Sequence, residues 1–154
     1  MNDRQLIERL ILPAMMQTVV IGFARSLGDD AGVLEPVQRL LTDAMNEVVA
    51  DIPPDRTAKL VRRAKRITTE AMAPIGGLVI GVQYLAVARL VADLAEQDVI
   101  VIGAESPFAK AWDLMAEVIG LGWDQLEAQD GQAQAVAQDM RRLLEMQGFY
   151  QGAL

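Results

Sequence analysis

Apolar residues recur along this chain at spacings of three and four, and that rhythm predicts helix nearly throughout. Leu6, Ile7, Leu10, Ile11, Ala14 and Met15 share one face of a first helix that opens on Asn2 and Gln5, a pattern resembling a capping box. Pro13 falls inside that helix, where a missing donor is expected to kink it. Gly28 is a natural stop, followed by a turn at Asp29–Gly32. Leu34, Val37, Leu41, Ala44 and Val48 mark a second helix, with Pro36 in its first turn. Ile52-Pro53-Pro54 ends it, and a third helix runs from near Asp55 to about Met72. On that third helix Leu60, Val61, Ala64, Ile67, Thr68, Ala71 and Met72 fill one arc.

A fourth helix, predicted over 74–97, is apolar nearly all round until Arg89, which makes it central. Gly77, Gly81, Ala88, Ala92 and Ala95 give it a stripe of small residues that lets another backbone approach closely. Val99-Ile100-Val101-Ile102 has no evident partner strand and reads as a buried extended connector or a last helical turn. Ser106-Pro107 starts the next helix, with Ser as N-cap and Pro at the first helical position. Gly120-Leu121-Gly122 is expected to break or bend it. A last stripe of Ala133, Val136, Met140, Leu143 and Leu144 ends at Gly148, leaving Phe149-Tyr150 in a short tail. The expected fold is an all-α, single-domain bundle of five or six helices over residues 1–154, with the hairpin 33–72 packed on the central helix.

Composition narrows the chemistry. The chain has 154 residues and 52% hydrophobic content, enough for one sizeable core without a disulfide or metal staple. Two apolar helices are more than a small bundle ordinarily hides, so a homodimer is expected. Cysteine is absent, which removes disulfides, thiolate nucleophiles and cysteine metal ligands and fits a cytoplasmic setting. Histidine is absent too, so the usual general base and commonest metal ligand are missing. Neither apolar run, Leu10–Ala24 or Ile75–Ala88, reaches the roughly 18 uninterrupted apolar residues of a spanning helix. No membrane role and no cofactor are expected.

Charge supplies the one distinctive feature. The net charge is -7, yet Arg56, Lys59, Arg62, Arg63, Lys65 and Arg66 fall within eleven positions on the polar arc of the third helix. Lys59/Arg63 and Arg62/Arg66 are like-charge pairs four apart, each costing about 0.2–0.5 kcal/mol in an isolated helix. Asp43, Glu47 and Asp51 recur every four residues on the second helix. If the two helices form a tight antiparallel hairpin, these acids meet Arg56, Lys59, Arg63 and Arg66 as an internal charge zipper. Arg62 and Lys65 then lie on the other edge, with Arg66 between the two. Arg62, Lys65 and Arg66 are therefore the candidate partner-binding residues. The partner expected is an acidic protein surface or a second copy of this chain. Nucleic acid is the weaker reading. Residues 55–70 carry +4, which leaves -11 on the rest of the chain, and no aromatics interleave with the cations to stack bases.

Other constellations point to ordinary structure. Asp113/Glu117 and Asp124, Glu127 and Asp130 are spaced to share helix faces. An all-helical Mg²⁺-dependent hydrolase needs several carboxylates from facing helices. The chain offers Glu127-x-x-Asp130 but no Glu-x-x-Glu to complete such a set. Gly76-Gly77-x-x-x-Gly81 lacks the Lys-Ser/Thr of a phosphate loop. Ser26 and Ser106 are the only serines, and no histidine exists to activate either. Eight methionines and the aliphatic inventory suit a core, and equally a pocket for a hydrophobic small molecule. No catalytic residues and no metal ligands are assigned. The reading is a non-enzymatic interaction or regulatory protein.

Overall fold

A computed structural model describes residues 1–119 and 130–148. Among the described residues every regular element is helical. The elements are α1 (Asp3–Leu6), α2 (Leu12–Leu27), α3 (Glu35–Asp51), α4 (Pro54–Met72), α5 (Ile80–Glu96), α6 (Pro107–Ile119) and α7 (Asp130–Met146). A π-helical turn, Ile7–Ile11, joins α1 to α2, and 3-10 turns occupy Gly28–Leu34 and Ala73–Ile75.

The ends of the helices follow the sequence. Asn2 accepts from the Gln5 backbone at 2.9 Å while the Gln5 side chain accepts from the Asn2 backbone at 3.1 Å, a complete capping box. Gly28 stops α2 with φ +58°, and Gly148 follows α7 with φ +89°, both conformations that a side chain resists. Ser106 Oγ accepts from Ala109 N at 3.1 Å and caps α6. Pro36 and Pro54 each sit in the first turn of their helix. The Val99–Ile102 segment is a connector: Ile100 is buried, and Val101 N donates to Glu8 Oε1 at 2.8 Å.

Two stretches have a local explanation. The sequence leads to a kink at Pro13, and the chain stays helical through it with a π turn just upstream. The π turn ends two residues before it, and the wider i→i+5 geometry relieves the contact between the proline ring and the carbonyl of Arg9. The fourth long helix begins at Ile80, not near Pro74. Gly76 and Gly77 cost helix stability, so the chain uses a 3-10 turn and a short loop before resuming.

The core is shared by α2 and α5. Met15, Met16, Val19 and Val20 of α2 are fully buried, as are Tyr84, Ala86, Val87, Leu90 and Leu94 of α5. α5 packs mainly on α7 and also on α2. α2 in turn touches α3, α4 and α6. The hairpin of α3 and α4 therefore packs on α2 rather than chiefly on α5. Buried Ala133, Ala137, Met140 and Leu144 form the α7 contact face, and Gln147 Nε2 donates to Glu70 Oε2 to tie the end of α7 to α4. The helical run from Asp3 to Asp51 contains a window of mean hydropathy 1.5, long and apolar enough to cross a bilayer by composition. A core helix shares that composition, and 56% of this window is buried inside the protein. The expected bend at Gly120–Gly122 and the Phe149-Tyr150 tail lie outside the described residues.

Among the described residues, Tyr84 is the largest fully buried side chain. Its ring stacks on Trp112 with centroids 4.2 Å apart, while its hydroxyl finds no hydrogen-bond partner among the described residues. Burial, and secondarily the charge of Asp113, push the phenol above its ordinary range, so it stays protonated at neutral pH. An unpaired buried hydroxyl costs free energy that phenylalanine would not. Tyr84→Phe is expected to leave stability unchanged or raise it by up to about 1 kcal/mol. Tyr84→Ala, which removes the stacked ring, is expected to cost about 3–5 kcal/mol. Urea denaturation of both variants checks the pair.

Candidate functional site

The loop between α3 and α4 is only two residues long, yet the two helices do not close on each other. α2 lies beneath them, and each packs on it from a different side. Gln17 of α2 donates to Thr42 Oγ1 at 2.9 Å and so meets the first half of α3. Arg63 of α4 reaches back to Asp3 at 3.1 Å. α3 thus runs antiparallel to the α1–α2 run and α4 runs parallel to it. Between them is an open groove of about 480 Å³.

Leu10, Ala14, Gln17 and Thr18 form its floor. Thr42, Met45, Asn46 and Val49 form one wall, and Val61, Ala64, Lys65, Thr68 and Thr69 form the other. Its chemistry is more apolar than this roster suggests. Thr18 Oγ1 bonds back to Ala14 O at 2.9 Å, and Thr68 Oγ1 bonds back to Ala64 O at 2.7 Å. With their hydroxyls engaged within the helix, these threonines contribute mainly apolar surface. Thr42 Oγ1 and the Gln17 amide nitrogen satisfy each other. Lys65 is the one charged residue among those lining the groove.

Arg62, Lys65 and Arg66 are all exposed, and none makes an ion pair among the described residues. Arg56 and Lys59 share both properties. The internal zipper does not form. Among the described residues, Asp43, Glu47 and Asp51 make no ion pair, and Arg63 pairs with Asp3 instead. The cause is the separation of the hairpin around α2. Glu47 and Asp51 line a different hollow, with Glu8, Arg9, Pro13 and Pro107, on the far flank of α3. Asp43 lies beside Glu35 and Arg39, which pair with each other at 2.6 Å.

The groove itself was not apparent from the sequence, although two signals for it were present. Gln17 and Thr18 interrupt an otherwise apolar run. Met45, Val49 and Val61 lie on apolar arcs wider than the faces their helices bury, and each stays half-buried. Elsewhere, Ala88, Val91, Ala92, Phe108, Trp112 and Asp113 line a shallower hollow of about 350 Å³ between α5 and α6, which accounts for part of the small-residue stripe. No three carboxylates among the described residues converge as metal ligands would. The side chains of Asp124, Glu127 and Asp130 lie outside that description.

Arg62 and Arg66 make no ion pair among the described residues, whereas Arg63 is tied to Asp3. Replacing Arg62 and Arg66 together by alanine removes a like-charge pair and is expected to leave stability unchanged or raise it by up to about 0.5 kcal/mol. Arg63→Ala breaks the tie to Asp3 and is expected to lower stability by about 0.2–1 kcal/mol. Chemical denaturation decides. A loss above about 1 kcal/mol in the double variant would make the face structural. Against known proteins, no family model, no curated protein and no solved structure matches this chain.

Proposed function

We propose that this chain is a non-enzymatic interaction protein that docks an acidic protein surface on α4 through Arg62, Lys65 and Arg66. One observation carries the reading: α4 carries three exposed cations with no ion pair among the described residues, and one of them, Lys65, lines an open apolar groove. Cations at a rim set register and encounter rate, and apolar burial supplies the non-directional part of the affinity. The wall from Thr42 to Val49 spans about 10 Å, which matches two turns of a docked helix with anchors at i, i+3 or i+4, and i+7. Nucleic acid suits the face less well. Tyr84, Phe108 and Trp112 stack together on α5 and α6, and α4 itself carries no aromatic residue. A cytoplasmic location belongs to the same proposal and is supported by the absence of cysteine.

The reading predicts that Arg62→Glu, Lys65→Glu and Arg66→Glu together deplete the proteins recovered with this chain from its native host, with helicity by circular dichroism unchanged. Recovery of the same proteins by the charge-reversed chain would remove it.

The same groove favours a second reading, the binding of a single-chain amphiphile. An alkyl chain would lie along Leu10, Met45, Val49 and Val61, with a carboxylate at Lys65. This reading requires saturable, one-to-one binding of a long-chain fatty acid by calorimetry. Ala14→Trp, which fills the floor, is expected to abolish that binding. Titration heats that never saturate would leave protein docking as the sole reading.

A further inference from the structure

We infer that the hollow between α5 and α6 is a binding site for a small quaternary ammonium compound such as choline, held against Trp112 and Phe108 and paired with Asp113. No α4 residue lines this hollow, so the site stands whether or not α4 docks a partner.

The hollow exists because α5 and α6 meet there through small side chains. Ala88 and Ala92 of α5 and Ala109 of α6 leave about 350 Å³ that longer residues would fill. That volume lies at the small end of the roughly 300–1,000 Å³ usual for ligand sites, so it suits a compact molecule. Phe108 and Trp112 supply the aromatic part of the lining, and Asp113 is the one charged residue in it. Asp113 is exposed and makes no ion pair among the described residues.

Trp112 is fixed before any ligand arrives. Its indole lies on the fully buried Tyr84 ring, with centroids 4.2 Å apart and planes 10° from parallel. Phe108, one turn earlier on α6, lies 6.4 Å from it. Trp112 is half-buried and lines the hollow, so indole surface that Tyr84 does not cover is open to the cavity. The charge of Asp113 is felt by the Tyr84 phenol, which keeps the carboxylate in the neighbourhood of the ring stack. A cation seated in the hollow therefore meets aromatic surface and a carboxylate together. A primary ammonium is strongly hydrated and loses that water on entering an apolar site. Methyl groups on the nitrogen remove much of that cost and bring apolar surface of their own against the three alanines. Charge selects a cation over an anion, and the apolar lining selects an alkylated one.

The test titrates two compounds into the full chain by calorimetry: choline, and the neutral analogue in which a tert-butyl group replaces the trimethylammonium. Asp113→Asn removes the charge and Ala92→Phe fills the hollow. Both positions are exposed, and circular dichroism checks the helical fold of each variant. Wild type is expected to bind choline one-to-one, at least tenfold tighter than the analogue. Asp113→Asn is expected to lose at least tenfold in choline affinity while binding the analogue as wild type does. Ala92→Phe is expected to bind neither compound. Phosphatidylcholine vesicles present the same group on a bilayer, and wild type is expected to stay in solution when they are sedimented. Sedimentation with them that Asp113→Asn abolishes would keep the quaternary ammonium and move its source to a lipid headgroup. If neither choline nor these vesicles bind, if choline and its analogue bind equally, or if either variant binds choline as wild type does, the inference falls.

Discussion

The whole arrangement depends on one constraint: α2 has too much apolar surface for any single neighbour to cover. Met15, Met16, Val19 and Val20 are fully buried, along with Ile11 and Leu12 at its start. Covering such a helix needs neighbours on several sides, and α3, α4, α5 and α6 all touch it. α3 and α4 are joined by a connection too short to let them separate far. They divide around α2 because burying more of it is worth more than pairing with each other. At about 25 cal/mol per Å² of apolar surface, each additional aliphatic side chain covered contributes roughly 1.5–3 kcal/mol. The surface ion pairs that a closed hairpin would gain are worth about 0.2–1 kcal/mol each. Burial wins over the zipper, and the groove is its geometric remainder.

Much of this fold is legible in the sequence wherever the signal is local. The capping box at Asn2 and Gln5, the glycine stops at 28 and 148, the Ser106 cap and the prolines at positions 36 and 54 all act within one turn of where they stand. The apolar arc of α4 likewise foretells which residues it buries: Ala64, Ile67, Thr68, Ala71 and Met72. What periodicity cannot supply is the identity of the neighbour. An arc says that a face is covered, not by which helix. The charge zipper assumed that sequence neighbours joined by a tight turn must touch along their length, and α2 intervenes. Pro13 shows the same limit on a smaller scale. Its effect depends on whether the preceding turn can widen, and nothing in the side-chain pattern announces a π turn.

The candidate site divides in the same way. Arg62 and Lys65 stood out in the sequence as cations without a local partner, and both are exposed in the structure, together with Arg66. The groove beside them arises from three segments far apart in the chain, and it becomes apolar through hydrogen bonds that sequence does not report. Thr18 and Thr68 read as polar residues, but each hydroxyl is spent on the carbonyl four residues earlier. Residue type alone therefore overstates the polarity of this wall.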